Sequence, residues 1–492
     1  MADLAAELIA RHRATLERAC AAVDDRDFWS PHPESPRAYA SGEGQDAAAA
    51  GRAAFEALLG AEYPLPQNRT DGRVGPSPQE GGETSPYGFD LGISYPYATA
   101  DALVEAAGAA LPAWASAGPE LRAAVCLEIL ARLNAQSPLI AHAVMHTSGQ
   151  GFPMAFQAGG PHAQDRGLEA VAWTYREQLR LPASARWTKP QGKRPALVMD
   201  KSFVPVPRGV ALVIGCNTFP TWNGYPGLFA SLAAGNPVLV KPHPRAVLPW
   251  AITVRTAREV LTEHGLPADA VQLAAERPGE RLARVLAVRP EVRLIDYTGS
   301  TAFGDWLEEN AHQARVFTEK SAVNSVLIES TDDYAGMLAN LAFSLSLYSG
   351  QMCTAPQNLL VPRDGVETDR GHRGYEEVLA DLGAAVTELL ADDAKASAIL
   401  GALVNPAVAA RVERAAAGDH GEVALAPRAV THPEFPRAVV RTPVLVRADA
   451  SDERPSRCSA PSGSARSPSS SPWTTRRPGS PCCAGPCRAT GR

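Results

Sequence analysis

The sequence predicts an α/β protein with a doubly wound parallel sheet followed by a second α/β domain. Short strand-like runs alternate with helix-like stretches between about residues 209 and 298. The first of them, "GVALVIGC" at 209–216, is wholly apolar, and the last is "VRLIDYT" at 292–298. Strands that alternate with helices are typical of βαβ units, and an apolar run without alternation indicates a strand buried on both faces. Such sheets bind ligands beyond the carboxyl ends of their strands, so we look for function there.

The remaining elements follow from periodicity. The stretch from about 97 to 180 is helical, with Leu121, Val125, Ile129 and Leu133 at helical spacing. Later elements are predicted as strands at 236–242 and 270–274, helices at about 250–264 and 279–288, strands "ARVFTEK" and "NSVLIES", a helix at 332–348, strand "NLLVP" and a helix at about 374–399.

Composition excludes several classes of function. The 492-residue chain carries a net charge of -6 without a basic patch in its body, so we expect no nucleic-acid partner. No apolar run reaches the ~18 residues of a membrane span, and the N-terminus lacks the features of a secretory signal. We therefore expect a cytoplasmic protein without a membrane partner. The eight cysteines form neither a disulfide framework nor a zinc pattern, and no metal site is predicted.

Three positions carry chemistry: Cys353 in "SGQMCTAP", Glu319 in "FTEK", and Asn217 in the turn "GCNTFP". A thiolate attacks an aldehyde carbonyl, and side-chain or backbone amides hold the resulting oxyanion. A carboxylate then activates water to hydrolyse the thioester that oxidation leaves. Taken singly, a cysteine is more often a small buried hydrophobe, a glutamate a solvated charge and an asparagine a turn cap. Their combination points to aldehyde oxidation.

The order "CNTFP", "AAGNPVLVKP", "DYTGSTAFG", "FTEK", "SGQMC" resembles the aldehyde dehydrogenase superfamily over roughly residues 95–450. The 34 residues from Glu319 to Cys353 fit the same pattern. The resemblance implies that Cys353 is the nucleophile, Glu319 the general base and Lys241 a ligand of the adenosine ribose. It also implies that Gly299, Ser300 and Gly304 form the turn and helix start at the pyrophosphate, where backbone N–H groups favour anions.

Two departures from the family pattern leave alternatives open. The family's oxyanion asparagine directly precedes Phe-Pro, whereas here Thr218 has that position. A one-residue bulge would restore Asn217, which we choose, and Asn223 lies nearby. After Glu319 the sequence "KSAVNS" resembles the ring-opening semialdehyde dehydrogenases, in particular the phenylacetic acid degradation protein PaaN group. That resemblance implies a semialdehyde substrate, either free or linked to coenzyme A.

The resemblance also bears on the cofactor, NADP or NAD. NAD-preferring relatives often have an acidic residue three positions after the lysine, and here that residue is Pro244, followed by Arg245. Since nothing at Pro244 repels a 2′-phosphate and a cation follows, we expect NADP to be accepted at least as well as NAD.

From Arg454 the character of the chain changes. The last 39 residues contain 9 Ser, 7 Pro, 7 Arg and 4 Cys, without one acidic residue or lysine. Such a segment buries too little apolar surface to order itself, and the abrupt change suggests an out-of-frame tail. The family's Glu-x-Phe-Gly-Pro-like segment and oligomerisation strand do not appear there, so we expect an incomplete catalytic domain and doubt the homo-oligomer typical of the family.

The predicted domain division therefore has four parts. They are an N-terminal helical extension and loop at 1–85, a NAD(P)-binding domain with N-terminal helices at 86–318, a catalytic domain at 319–453 and a disordered tail at 454–492. Two alternatives to a hydrolytic aldehyde dehydrogenase remain: an inactive or cofactor-binding remnant, and a dehydrogenase that acylates coenzyme A. Glu319 favours the hydrolytic enzyme over the acylating one.

Overall fold

The computed structural model describes residues 2–40, 46–67, 70, 72–448 and 469–473. The chain divides into two compact units, Met1–Ser321 with Glu434–Val439, and Ala322–Pro433 with Val440–Arg492. We describe each unit by itself, and the four-part division expected from the sequence stays a prediction.

Helices dominate the first half of unit 1. The described helices of this unit are α1 (Ala2–Asp25), α2 (Ala47–Glu56), α3 (Ala100–Ser116), α4 (Gly118–Ala135), α5 (Ser137–Ser148), α6 (Phe152–Gly159), α7 (Pro161–Leu179), α8 (Pro220–Ala233), α9 (Leu248–Glu263), α10 (Leu282–Ala287) and α11 (Thr301–Asn310). The N-terminal helix α1 packs against α4 and α7, so residues near the start of the chain share the core of unit 1.

Short antiparallel pairs flank these helices. They are β1 (Arg73–Val74) with β4 (Tyr95–Pro96), β2 (Thr84–Ser85) with β3 (Phe89–Asp90), and β5 (Ser184–Gln191) with β6 (Arg194–Ser202). The sequence interpretation missed the β5–β6 hairpin. Gly192, at a φ of 65°, lies in its turn, which is a conformation that glycine adopts without strain.

The central sheet of unit 1 confirms the predicted doubly wound parallel fold. Its strands are β7 (Val210–Ile214), β8 (Val238–Lys241), β9 (Val271–Leu273), β10 (Val292–Thr298) and β11 (Arg315–Glu319), in the order β11-β10-β7-β8-β9. Every pair is parallel. The order reverses between β10 and β7, and this is the switch point at which such sheets bind ligands. All five residues of β7 are buried, as its apolar run predicted.

Arg122 connects several helices of unit 1 through hydrogen bonds. Its buried guanidinium donates to the carbonyls of Ala233 (3.0 Å) and Ala115 (2.7 Å) and to Gln178 Oε1 (2.6 Å). Ala233 ends α8, so this arginine fixes α8 against α4 and α7. A buried cation is tolerated only when its donors are satisfied in this way.

Unit 2 has a smaller mixed sheet. Its elements are β12 (Asn324–Leu327), β13 (Ser330–Thr331), α12 (Tyr334–Ser346), β14 (Pro356–Pro362), β15 (Val366–Thr368), β16 (Gly371–Arg373), α13 (Tyr375–Leu389), α14 (Asp393–Leu400), α15 (Pro406–Ala416), β17 (Glu422–Leu425), β18 (Ala429–Val430), β19 (Val440–Arg441), β20 (Leu445–Arg447) and β21 (Ser469–Trp473). The main sheet has the order β12-β14-β21-β20-β17. Leu359 and Val361 of β14 pack with Leu341 and Leu345 of α12 to form its core.

Two expectations differ from the structure of unit 2. The single helix expected at about 374–399 is two helices, because Asp392 caps α14 by accepting from the backbone N–H of Lys395 (2.8 Å). Within the tail, residues 469–473 form strand β21, hydrogen-bonded to β14 and to β20. The composition of the tail did not predict this strand, because backbone hydrogen bonds in a sheet do not require apolar side chains. The rest of the tail lies outside the described residues.

No helix in the described part of the chain is both long and apolar enough to cross a bilayer. Among the same residues, no group of three or more His, Cys, Asp or Glu side chains is arranged to hold a metal ion.

The buried carboxylate of Glu128 joins α4 to α1 and yields a stability prediction. It lies 2.7 Å from His12 Nε2 and accepts from Arg132 Nε at 2.9 Å. Burial alone would raise its pKa, but the hydrogen bonds from His12 and Arg132 outweigh burial and lower the pKa to about 2. We expect Glu128→Gln to lower the free energy of unfolding at pH 7 by about 1–3 kcal/mol, measured by denaturant titration.

The pH dependence follows from the lowered pKa. The stabilisation is fully present above the ordinary pKa of 4.5 and is lost as the pH falls towards about 2, so the two proteins should converge in acid. Glu120→Gln, which removes an exposed partner of Arg13, is the control and should change stability by less than ~1 kcal/mol. An equal effect of both substitutions would contradict the role of Glu128.

Candidate active site

The carboxyl edge of the central sheet collects the candidate residues of unit 1. Ile214, which ends β7, pairs with Lys241 of β8 and with Tyr297 of β10. Thr298 of β10 pairs with Glu319, the last residue of β11. Side chains that are up to about 100 positions apart in the sequence thus meet at one edge, as the parallel register requires.

The turn after β7 contains Cys216 and Asn217. The thiol of Cys216 is buried, donates to the Phe219 carbonyl (3.4 Å) and accepts from Asn223 Nδ2 (3.4 Å). Burial raises its pKa, so it is a poor nucleophile. Asn217 is partly buried and donates from Nδ2 to the carbonyl of Thr147 (2.8 Å). That bond fixes its side chain, and an amide nitrogen has a second hydrogen to donate.

Of the two alternatives to Asn217, Asn223 lies inside α8 and is directed at the Cys216 sulfur. Thr218 accepts from Gln150 Nε2 through its carbonyl (2.7 Å). Asn223 is 7% exposed and bonded to a buried thiol, whereas Asn217 is partly exposed, and the choice of Asn217 as the oxyanion donor stays a prediction.

The turn after β10 contains Gly299 and Ser300. The backbone N–H of Gly299 donates to the Glu319 carbonyl (3.0 Å), and a Cβ on Gly299 would lie 2.4 Å from the Tyr297 hydroxyl oxygen. Ser300 caps α11 and accepts from the backbone N–H of Phe303. Gly304 lies inside α11, where a Cβ would approach Lys320 Cγ to 2.9 Å, so it permits close packing of the helix on the residue after Glu319.

Glu319 is exposed at the end of β11. Its negative charge acts on Asp296, whose side chain packs against the backbone of Gly227 in α8. Burial first, and then the charge of Glu319, raise the pKa of Asp296 to about 6, against the opposing effect of Arg166. Two carboxyl groups, one exposed and one partly exposed, thus share this corner of the sheet.

The end of β8 contains a buried ion pair. Lys241 Nζ lies 3.2 Å from Glu276 Oε1 and donates to the Pro242 carbonyl (2.7 Å). Pro244 is exposed in the loop that follows. Burial, together with the charges of Lys241 and Arg245, lowers the pKa of His243 to about 3, so its ring is neutral at physiological pH.

Cys353 lies in unit 2, in the segment between α12 and β14. It is partly exposed, and its backbone carbonyl accepts from Asn324 Nδ2. A second bond from the same nitrogen reaches the Ala355 carbonyl (3.2 Å). A turn closed by the Ala355 N–H and the Met352 carbonyl (3.3 Å) surrounds the cysteine, so its backbone is held from both sides.

The residues just before Cys353 adopt a strained backbone. Tyr348, Ser349 and Gly350 have φ values of 53°, 51° and 65°, and only the glycine takes this conformation at little cost. Ser349 Oγ donates to the Leu400 carbonyl (3.0 Å). Gln351, fully buried, donates to the carbonyls of Tyr348 and Ala402 and accepts from the Val404 N–H (3.0 Å). Strain of this kind persists only where surrounding bonds over-determine it.

Comparison with known proteins decides the family. The model of the aldehyde dehydrogenase family matches residues 94–446, which is more than half of the chain. The chain belongs to the aldehyde dehydrogenase family. The resemblance read from "GQMC" and its companion motifs is thereby confirmed at the level of the family.

A solved structure supports the same assignment. The NAD-dependent aldehyde dehydrogenase from Burkholderia multivorans is 50% identical, with a TM-score of 0.88, and the match covers 95% of this chain and 81% of that one. A 1-pyrroline-5-carboxylate dehydrogenase structure at 18% identity and a TM-score of 0.66 shares the fold.

Among curated relatives are the N-succinylglutamate 5-semialdehyde dehydrogenase of Chromobacterium violaceum and the alpha-ketoglutaric semialdehyde dehydrogenase 2 of Azospirillum brasilense. They are 29% and 28% identical, over 54% and 49% of this chain. The matches span about half of these relatives, 52% and 48% of their lengths.

The residues at the carboxyl edge of the central sheet are of the kind that can hold a dinucleotide. Gly299 has no Cβ where the chain turns, and the N-terminus of α11 presents backbone N–H groups. Lys241 ends β8, and Glu276, three residues after β9, lies beside it. Glu276 was missed in the sequence. An acidic residue just after the predicted strand "AVQLA" was the available signal. The ion pair between Glu276 and Lys241 depends on the fold and cannot be deduced from the sequence.

Gln351 offers a direct test of the bracing around Cys353. We expect Gln351→Ala to lower the free energy of unfolding by about 2–4 kcal/mol, because it removes the side-chain hydrogen bonds that Gln351 makes to the backbone of Tyr348, Ala402 and Val404 in a buried site. It should also change the rate at which iodoacetamide alkylates Cys353. Denaturant titration and mass-spectrometric alkylation kinetics measure the two effects.

Met352→Ala is the control because it alters the adjacent residue without touching those hydrogen bonds, and we expect less than ~1.5 kcal/mol. If Gln351→Ala were as mild as Met352→Ala in both measurements, the bracing role would be refuted.

Proposed function

We propose that this protein oxidises an aldehyde to a carboxylic acid with NAD or NADP as oxidant. The observation that carries the proposal is Cys353, a partly exposed thiol after a strained and braced turn, in a chain that belongs to the aldehyde dehydrogenase family. By contrast, Cys126 and Cys216 are buried, and burial raises the pKa of each thiol. Cys353 therefore has the better access to a substrate.

The proposed roles follow the chemistry of a thioester route. The Cys353 thiolate adds to the aldehyde carbon to form a thiohemiacetal. Asn217 donates an amide hydrogen to the oxygen on which negative charge develops, which lowers the barrier to addition. The dinucleotide, when bound, accepts the hydride of the aldehyde carbon. Glu319 takes a proton from water, which then hydrolyses the Cys353 thioester and releases the acid.

The groups proposed to hold the dinucleotide come from unit 1. Lys241, at the end of β8, holds the adenosine ribose, and Ser300 opens α11, whose first backbone N–H groups face the pyrophosphate. Gly299, whose own N–H is bonded to the Glu319 carbonyl, lets the chain turn there without a side chain. Gly304 allows α11 to pack closely, and Pro244 borders the ribose. The buried Lys241–Glu276 pair and the capped start of α11 support these roles.

The proposed substrate is a semialdehyde. The names of the curated relatives from Chromobacterium violaceum and Azospirillum brasilense describe semialdehyde dehydrogenases. The segment "KSAVNS" after Glu319 further suggests a semialdehyde of phenylacetate breakdown, either free or linked to coenzyme A. We infer hydrolysis and not transfer to coenzyme A from the presence of Glu319.

Substitution of Cys353 tests the proposal. We expect Cys353→Ala to abolish NADH or NADPH formation from an aldehyde, a loss of at least ~1,000-fold in kcat, because no other side chain forms the thioester. Glu319→Gln should form one equivalent of NADH or NADPH in a burst and then stop, because the acyl-enzyme is not hydrolysed. Absorbance at 340 nm and mass spectrometry of the intact protein measure both.

Succinic semialdehyde and a medium-chain aldehyde, each with and without coenzyme A, are suitable substrates. Cys126→Ala is the matched control, since it removes a buried thiol with a pKa raised to about 12, and it should retain activity. Turnover unaffected by Cys353→Ala refutes the nucleophile assignment. Turnover that depends on coenzyme A points to the acylating enzyme.

We also propose that residues 454–492 are read out of frame. This segment carries a charge of +7 and lacks Val, Ile and Leu, unlike the chain before it. In its one described element, Pro472 pairs with Val361 of β14, although proline has no N–H for a sheet ladder. We expect the gene, read in the other frames past codon 453, to encode a Glu-x-Phe-Gly-Pro-like segment. A verified frame without such a segment in any register would contradict this.

A further inference from the structure

Helices α1, α4 and α7 of unit 1 border a cavity of about 500 Å³. Helix α1 packs against both of the other helices, and the cavity is a gap that this packing leaves open. A volume of this size suits a small organic molecule. Among the described residues that line it, none has a role in the proposed catalysis or in the proposed dinucleotide site. A ligand bound there would be separate from the reaction.

The floor of the cavity is apolar. The side chains of Leu16 and Ala124 are buried there, and Ile9 also lines the cavity and is partly buried. Cys20 is partly exposed, and its Sγ lies 3.9 Å from the Ala172 carbonyl oxygen. Burial raises the pKa of this thiol, so it is neutral at physiological pH. The floor therefore offers surface to an apolar group, which gains free energy when both surfaces leave water.

Each arginine at the rim already has a carboxylate partner. The three ion pairs are Arg13 with Glu120 (3.2 Å), Arg176 with Asp24, and Arg180 with Glu177 (3.2 Å). The first pair joins α1 to α4, and the second joins α1 to α7. An anionic ligand would have to compete with these carboxylates for the guanidinium groups, so the rim does not favour an anion.

Glu17 adds a negative charge that these pairs do not balance. Its exposed side chain lines the cavity from α1, and within the part of the chain that the structure describes it has no ion-pair partner. Burial is the main cause of the raised pKa of Cys20 and of Tyr175, and the charge of Glu17 contributes to both shifts. Glu120 acts on Tyr175 in the same direction, and more strongly than Arg13 opposes it. The charge around Tyr175 is therefore negative on balance.

Proteins bind organic ammonium ions by pairing them with a carboxylate and by placing them over an aromatic ring. Glu17 and the half-buried Tyr175 supply these two groups at the rim of an apolar cavity. We propose that this cavity is a binding site for an amphipathic organic cation. The apolar body of the ligand packs on Leu16 and Ala124, and its ammonium group lies between Glu17 and Tyr175. The site goes beyond the proposed function, because it takes neither the aldehyde nor the dinucleotide.

The exposure of Glu17 sets the size of the charge preference. An ion pair with a solvated carboxylate contributes little, so apolar contact supplies most of the affinity. We expect a cation to bind about 5–10-fold more tightly than a neutral molecule of the same shape. An anion should bind more weakly than either. The preference for the cation should shrink as the salt concentration rises from about 0.05 M to about 0.5 M, because salt screens exposed charges.

Three probes that share a phenylbutyl group test this preference. They are 4-phenylbutylamine, which is an ammonium ion at pH 7, neutral 4-phenylbutan-1-ol and anionic 4-phenylbutyrate. Calorimetry on the full chain, without aldehyde or dinucleotide, should rank their affinities in that order. At saturation the amine should slow the alkylation of Cys20 by iodoacetamide at least ~3-fold, because the ligand covers the thiol, while the rate at Cys353 stays unchanged. Peptide mass spectrometry measures both rates.

Two substitutions locate the ligand. Glu17→Gln removes the unbalanced charge and should lower the affinity for the amine about 5–10-fold, to that of the alcohol. Glu7→Gln is the matched control, since Glu7 is an exposed residue of α1 that pairs with Arg11 and does not line the cavity. It should leave the affinity unchanged. Ala21→Phe places a ring in the cavity and should weaken the binding of all three probes at least ~10-fold.

Tighter binding of 4-phenylbutyrate than of the amine would overturn the inference, and so would the absence of amine binding. Equal effects of Glu17→Gln and Glu7→Gln would also overturn it. Protection of Cys353 without protection of Cys20 would place the ligand elsewhere, with the same consequence. These measurements decide the matter even if Ala21→Phe fails to fold. Because neither aldehyde nor dinucleotide is present, a failure here leaves the proposed function standing.

Discussion

Five parallel strands of unit 1 end at one edge because each is hydrogen-bonded to a neighbour running in the same direction. This ladder brings together the turn after β7, the lysine of β8, the carboxylate after β9, the turn after β10 and the last residue of β11. The apolar side chains of the strands hold the ladder in a dry core. Because the apolar core stabilises the sheet, the polar side chains at its edge are available for binding and chemistry.

Packing decides the chemistry of side chains of the same type. Cys216 and Cys353 are both thiols near predicted strand ends, yet Cys216 is buried against α8 and Cys353 is partly exposed on a turn. Glu319 is exposed, whereas Asp296, two strand positions before Thr298, is pressed against a helix glycine and has a raised pKa. Burial and hydrogen-bond partners thus give side chains of the same type different access to solvent and, for Cys216 and Asp296, a raised pKa.

The backbone just before Cys353 is strained, and hydrogen bonds from neighbouring residues stabilise it. Two residues without the freedom of glycine adopt left-handed backbone angles, and a buried glutamine with three backbone partners holds them there. In unit 1, Glu83 and Glu276 likewise accept from backbone N–H groups at the starts of α9 and α10, and Glu276 also contacts Lys241. In both places polar groups are fixed before any ligand arrives, which lowers the reorganisation that binding requires.

The sequence by itself determined the doubly wound fold, the family, and the identity of the candidate nucleophile and base, because apolar strand patterns and local motifs are properties of neighbouring residues. It did not reveal the β5–β6 hairpin, the break before α14, or the meaning of Glu276. Those depend on turn conformation, on a helix cap, and on a contact between residues 241 and 276. Only the tertiary structure decides such features, because the energy of an ion pair depends on distance and burial and not on separation along the chain.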